Sequence, residues 1–169
     1  MRAFIAIHLS EEMIRELLKA QEELRAFDKN ANYTRRENLH LTLAFIGETE
    51  RIEDIVSIME KAVGAPFDLA VSNSGTFGGD LWWAGVVNTP PLAALARRIR
   101  RGLTENGFDI DKKEFVPHIT IARQVRNAHG AKLNIKECSM TVSEISLMKS
   151  ERIDGKLVYT KVKTVELKV

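Results

Sequence analysis

Histidine is the side chain whose ordinary pKa, about 6.5, lets it give and take protons near neutral pH. This chain holds four: His8, His40, His118 and His129. Two of them share a local pattern. His40-Leu41-Thr42-Leu43 and His118-Ile119-Thr120-Ile121 both read His-apolar-Thr-apolar, 78 residues apart (118 − 40). Along a β-strand successive side chains point to opposite faces, so each copy puts imidazole and hydroxyl on one face and two aliphatics on the other. Two such strands facing each other would surround a small space with two imidazoles and two hydroxyls. That set suits phosphodiester cleavage by an internal or water nucleophile. A neutral imidazole takes the nucleophile's proton, a protonated one donates to the departing oxygen, and each transfer is worth roughly 10²–10⁴ in rate. Thr42 and Thr120 can donate hydrogen bonds to the non-bridging phosphate oxygens, where negative charge gathers.

A single histidine on an amphipathic strand is more often structural than catalytic, and a lone His-x-Thr carries little information. The weight lies in the duplication, because each motif also follows a helix that ends a dozen or so residues upstream, near Phe27 and Asn106. Zinc would need three or four ligands. The other two histidines do not supply them: His129 lies in the turn-like Asn127-Ala128-His129-Gly130, and His8 ends the first strand on the face of Phe4 and Ala6. No metal is expected.

The elements that must position these groups follow from periodicity. Ala3 to Ile7 reads as a buried strand. Ser10 caps a helix to about Phe27, with Glu11 and Glu12 near its positive end and Ile14, Leu17, Leu18 and Leu24 on its buried face. After the polar stretch 28–38 comes the strand 40–47. A helix follows from about Arg51, carrying Ile52, Ile55, Val56, Met59 and Val63, with Gly64 ending it at positive φ. Phe67 to Phe77 and Leu81 to Val87 flank a hairpin turn at Gly78-Gly79-Asp80. Pro90 and Pro91 open a third helix with Leu92, Leu95, Ile99 and Leu103 inward and Gly107 past its end. The second motif strand, His118 to Arg123, is followed by two long strands near Cys138 to Met148 and Lys156 to Leu167, turning at Asp154-Gly155.

At 169 residues, 44% hydrophobic and 28% charged, the composition is that of a soluble globular protein and argues against disorder. No Ser/Pro/Gly linker interrupts it, so residues 1–169 read as one domain. The net charge of +2 neither supports nor excludes nucleic acid. One cysteine, Cys138, precludes an internal disulfide and fits a reducing cytosol. No stretch approaches the roughly 20 apolar residues of a membrane helix, and the first apolar run is too short for a signal peptide. The expectation is a soluble, cytoplasmic protein.

Two segments carry a family resemblance. Asn38-Leu39-His40-Leu41-Thr42-Leu43-Ala44-Phe45-Ile46-Gly47 and Phe115-Val116-Pro117-His118-Ile119-Thr120-Ile121-Ala122-Arg123 resemble the two signatures of the two-histidine phosphoesterases. The nearest branch is the RNA 2′,3′-cyclic phosphodiesterases, also called the 2′-5′ RNA ligase or LigT-like family. Met1 to Ile7, Glu144-Ile145-Ser146-Leu147 with Ser150, and Tyr159 are similar to it too, so the likeness spans nearly the whole chain. His8 departs from it, standing where the family more often has an acidic residue.

The resemblance implies a bilobal α+β fold, with two antiparallel β-sheets facing across a central cleft and helices on the outer faces. It implies hydrolysis of RNA 2′,3′-cyclic phosphate ends to 2′-phosphates with no cofactor, and in some relatives the joining of RNA ends through a 2′-5′ linkage. It gives His118 the base role and His40 the acid role, a split that the motifs' own symmetry leaves open. Thr42, Thr120 and Arg123 are implied phosphate contacts, although strict alternation puts Arg123 on the face opposite His118 unless a bulge or strand end turns it. The expected partner is RNA with 2′,3′-cyclic phosphate ends, tRNA fragments being one candidate, bound by a monomer away from any membrane. Two other readings stand beside this one: the same chemistry on a small nucleotide such as an ADP-ribose cyclic phosphate, and an RNA-end-binding protein without turnover.

Other residues have plainer readings. Arg97-Arg98-Ile99-Arg100-Arg101 looks like an RNA-binding run, yet on a helix its arginines form a solvated outer face. Arg35 and Arg36 are better placed to meet phosphates, with a loop role as the alternative. Phe45 and Phe115 flank the motifs and are expected in the core rather than under a base. Trp82 and Trp83 point to opposite faces, so at most one lines the cleft.

Overall fold

The computed structural model describes residues 1–169. Its element order is β1 (Arg2–His8), α1 (Glu11–Arg25), β2 (Asn32–Tyr33), β3 (His40–Glu48), α2 (Ile52–Ala62), β4 (Phe67–Phe77), β5 (Leu81–Val86), α3 (Pro90–Glu105), β6 (His118–Arg123), β7 (Cys138–Val142), β8 (Glu144–Ile153) and β9 (Lys156–Glu166), with a single 3-10 turn at Arg36–Asn38. Two antiparallel sheets result. One runs β3-β1-β8-β9 and holds the first motif; the other runs β2-β6-β5-β4-β7 and holds the second. This is the α+β, two-sheet architecture that the resemblance implied. No helix is long and apolar enough to cross a membrane.

The helices tie the two sheets together. Helix α1 follows β1 of the first sheet but packs on β6 and β7 of the second, while α3 touches β3 and β4, one strand from each. A continuous cluster of 39 buried residues therefore runs from Ile5 and Ile7 through Leu17, Leu41 and Ile99 to Ile119 and Ile121. The local signals act as the residue types require. The Ser10 side chain accepts from the Met13 amide at 3.2 Å to cap α1, and Pro90 and Pro91 open α3 where the missing N–H costs nothing. Gly107, just past α3, has φ +84°. At the β8–β9 hairpin Asp154 and Gly155 both have positive φ, the geometry that matches the strands' twist.

Three expectations are corrected. Gly64 does not end α2 in the left-handed region; Val63 ends it in an extended conformation, its amide bonded back to Met59. The polar stretch before the first motif contains a two-residue strand, β2, paired to β6 through Asn32↔Arg123 and Tyr33↔Ala122. The strand expected from Cys138 to Met148 is two strands in different sheets, broken at Ser143. Its phase slips there. Cys138, Met140 and Val142 face the core on even numbers, whereas Ile145 and Leu147 do so on odd ones, and a period of two cannot change phase without a break.

Candidate active site

The site lies where β3 and β6 pack against each other at the seam between the sheets. In both strands a bulge interrupts the ladder just after the motif's threonine. Pairing of β3 with β1 steps from Ile5↔Ala44 to Ala6↔Thr42, leaving Leu43 as the extra residue. Pairing of β6 with β5 steps from Trp82↔Ala122 to Trp83↔Thr120, leaving Ile121 extra. In each strand two consecutive apolar residues are then buried, Leu43 and Ala44 in one, Ile121 and Ala122 in the other. The next residue, Phe45 or Arg123, swings back to the histidine's face and is exposed. Arg123 thus shares the cleft face with His118 and Thr120 by way of a bulge, and its charge acts on His40 and Tyr159 of the opposite sheet.

The bulge in β6 has its own support. The Ile121 carbonyl accepts from the Thr34 amide at 3.0 Å and from Gln21 Nε2 of α1 at 2.9 Å, and the same Gln21 nitrogen donates to the Thr34 carbonyl at 2.7 Å. Gln21 is one of few buried polar residues, 2% exposed. A buried helix glutamine thereby satisfies backbone groups that an unbroken ladder would have paired.

Both imidazoles are held alike. His40 Nδ1 lies 2.7 Å from the Asn38 carbonyl, and His118 Nδ1 lies 2.7 Å from the Val116 carbonyl, each two residues upstream. A carbonyl only accepts, so Nδ1 carries the hydrogen in both rings and Nε2 is the nitrogen turned to the cleft. His40 Nε2 is 2.8 Å from Thr42 Oγ1. The Thr120 hydroxyl takes no partner within the protein, which leaves its donor for a ligand.

Aromatic side chains wedge each ring. His40 meets Phe4 at 5.0 Å and Tyr159 edge-on at 5.2 Å between centroids. His118 meets Phe77 edge-on at 5.0 Å, and Trp83 stands 6.4 Å away. Trp82 is buried in the core, so Trp83 is the cleft tryptophan. It lies across Gly75, where any Cβ would collide with the indole.

Burial dominates the electrostatics of the first motif. Burial pushes the His40 pKa down to about 4; the Asn38 carbonyl opposes this, and the charges of His8, His118 and Arg123 add to it. His8 stands opposite His40 across the β1–β3 ladder, with Nε2 3.3 Å from Met148 Sδ. Its pKa is also lowered, chiefly by burial, then by Lys161, with Glu144 opposing. His129 is exposed. No group of three or more His, Cys, Asp or Glu side chains is arranged to hold a metal ion.

Against this geometry stand the similarities to known proteins. The sequence model described as 2′-5′ RNA ligase superfamily matches residues 12–154. The chain belongs to that superfamily. It is 29% identical to the RNA 2′,3′-cyclic phosphodiesterase of Methanothermobacter thermautotrophicus over 176 residues, covering 94% of this chain and 95% of that protein. With the RNA 2′,3′-cyclic phosphodiesterase of Thermotoga maritima it is 37% identical over 131 residues, covering 73% and 70%. The crystal structure of Escherichia coli LigT complexed with 3′-AMP superposes with a TM-score of 0.88 at 27% identity, over 98% of this chain and 97% of that one.

Two site residues lay outside the sequence reading, and one expectation is corrected. Phe4 and Phe77 wedge the histidines, and Phe45 is 45% exposed beneath the Arg2 guanidinium, 4.6 Å from it, rather than in the core. The signal for Phe45 was the pair Leu43-Ala44, two core-type residues in succession that force a phase change. Arg35 and Arg36 are committed within the protein: Arg35 to Glu37 and the Leu157 carbonyl, Arg36 to Glu11. The Arg97–Arg101 run also turns to its own surroundings, with Arg98 on the Ala62 carbonyl, Arg100 on the Lys113 carbonyl and Arg101 on Glu105.

Proposed function

We propose that residues 1–169 form one catalytic unit that hydrolyses RNA 2′,3′-cyclic phosphate ends to 2′-phosphates by acid-base catalysis from His40 and His118. One observation carries the reading: both histidines have Nδ1 fixed on an upstream carbonyl, on strands that pack against each other, with the charge of His118 acting on His40, which supports both Nε2 atoms serving one cleft. The superfamily membership and the names of the relatives supply the substrate class.

In the proposed reaction water attacks phosphorus in line with the 3′ oxygen. His118 Nε2 accepts the water proton, the phosphorus–O3′ bond breaks, and His40 Nε2 gives its proton to O3′, leaving the phosphate on O2′. Thr42, Thr120 and Arg123 hold the non-bridging oxygens, where hydrogen bonds and a fixed positive charge stabilise the transition state. A histidine whose pKa lies about 4 is neutral at pH 7. The phosphate anion, placed beside the ring, favours the imidazolium and so brings the acid its proton together with the substrate. With a 5′ hydroxyl in place of water as the nucleophile, the same steps join a 2′,3′-cyclic end to it through a 2′-5′ linkage. The side chains named account for the proton transfers without a metal ion.

The test is to incubate the protein with an oligonucleotide ending in a 2′,3′-cyclic phosphate and identify the terminal product. A 2′-phosphate is expected. A 3′-phosphate would place the acid on the other oxygen, and an unchanged end at saturating protein would contradict the reaction.

A further inference from the structure

Five of the chain's thirteen arginines, Arg25, Arg35, Arg36, Arg51 and Arg101, contact a carboxylate, and Arg98 and Arg100 donate to backbone carbonyls. Arg2, Arg123 and Arg152 are among the eight that form no ion pair, and they are the ones at the cleft. All three surround Tyr159, whose hydroxyl burial pushes above its ordinary pKa while their charges, in the order Arg123, Arg2, Arg152, pull the other way. Arg123 reaches in from the second sheet. Arg2 and Arg152 belong to the first sheet and stand on its cleft face. Arg2 pairs across the ladder with Ser150, and Ser150 with Tyr159, so the three form one row, and Arg152 lies two residues beyond Ser150 on the same face.

No carboxylate stands within ion-pair distance of them. Glu48, the cross-strand partner of Arg2, is bound to the Met1 amino group. Glu151 points to the other face and pairs with Lys149. Arg2 lies over the Phe45 ring, and a guanidinium stacked by its face keeps the N–H donors in its plane available to an anion. Arg152 makes one long contact, 3.4 Å to the Gly155 carbonyl. In a chain of net charge +2, two uncompensated guanidinium groups beside the catalytic cleft are a local concentration of positive charge.

We propose that Arg2 and Arg152 form a second anion subsite, which holds the phosphodiester on the 5′ side of the reacting end and makes the enzyme prefer RNA strands to cyclic mononucleotides. The subsite rests on the proposed reaction and deepens it. A cyclic mononucleotide fills the cleft between His40 and His118 and has no second phosphate to offer. A strand brings its next phosphate along the first sheet, past Phe45, to the two arginines.

The experiment compares kcat/KM for cytidine 2′,3′-cyclic phosphate and for the dinucleotide ending in the same group, in wild type, Arg2→Gln, Arg152→Gln and the double variant. Wild type is expected to favour the dinucleotide by about tenfold or more, as the loss of a charge-assisted phosphate contact implies. Each single variant reduces that ratio several-fold through KM, and the double variant brings it towards one. A wild-type ratio near one, or a ratio that survives the double variant, overturns the subsite. If neither substrate is turned over, the proposed reaction falls. The subsite is then judged by the dissociation constants of the dinucleotide and mononucleotide 2′-phosphates: tighter dinucleotide binding that both variants weaken supports it, and equal affinities refute it.

Discussion

His40 should make the protein sensitive to acid well before its carboxylates titrate. In the fold its pKa lies at about 4 because burial disfavours the imidazolium, against an ordinary value of 6.5 in the unfolded chain. The neutral ring is equally at home in both states, so nothing is lost above pH 6.5. Below that the unfolded chain gains a proton that the folded one refuses, and stability falls until the folded ring also protonates near pH 4. At about 1.4 kcal/mol per unit, that difference of roughly 2.5 units amounts to about 3 kcal/mol, a large share of the 5–15 kcal/mol that holds a typical domain folded. The assay is urea denaturation of wild type and His40→Gln at pH 7 and pH 4. Replacement costs something at both values, since the bonds to Asn38 and Thr42 are lost, but that cost is independent of pH. The gap between the proteins should move by about 3 kcal/mol in favour of the variant as pH falls from 7 to 4. A gap that moves by less than about 1 kcal/mol would refute the burial of His40 as its cause.

Three further outcomes follow from the same contacts. Because His40 must titrate in the free enzyme whichever role it plays, the profile of kcat/KM against pH should have its acid limb near 4; a limb above pH 6 would contradict this. Gly75→Ala forces the Trp83 indole off its seat against His118 and should lower stability by about 1–3 kcal/mol, read as a drop in Tm, together with turnover. Gln21→Leu leaves the Thr34 carbonyl without its side-chain donor and releases the β6 bulge, costing about 1–3 kcal/mol in denaturation. Since that bulge aims Arg123, KM should rise more than kcat falls; an unchanged KM would separate Gln21 from the site.

Much of this site was legible because its chemistry repeats. Two copies of His-apolar-Thr-apolar name both imidazoles and both hydroxyls, and strand alternation says which face they share. The helices were equally plain, since Ser10, Pro90 and Gly107 act locally through hydrogen bonds and φ. What escaped was whatever depends on a partner strand. The bulges at Leu43 and Ile121 exist only relative to β1 and β5, so the faces of Phe45 and Arg123 could be posed as a conflict but not resolved. Phe4 and Phe77 read as ordinary apolar strand residues, because their contact with a histidine is made across strands. The switch of sheet at Ser143 was visible as a slipped phase between Val142 and Ile145, although continuous β-propensity hid it. Gln21 gave no signal at all: a glutamine in a helix is unremarkable until the carbonyls it meets come from 13 and 100 residues away.

The most direct measurement is turnover of a 2′,3′-cyclic-phosphate oligonucleotide by wild type, His40→Ala and His118→Ala in excess EDTA, with circular dichroism confirming each fold. Wild type is expected to remain active, and each variant to lose at least about a hundredfold in kcat/KM, the share a positioned acid or base supplies. Near-normal turnover in either variant, or wild-type activity that EDTA abolishes and added metal restores, would contradict a reaction carried by two imidazoles.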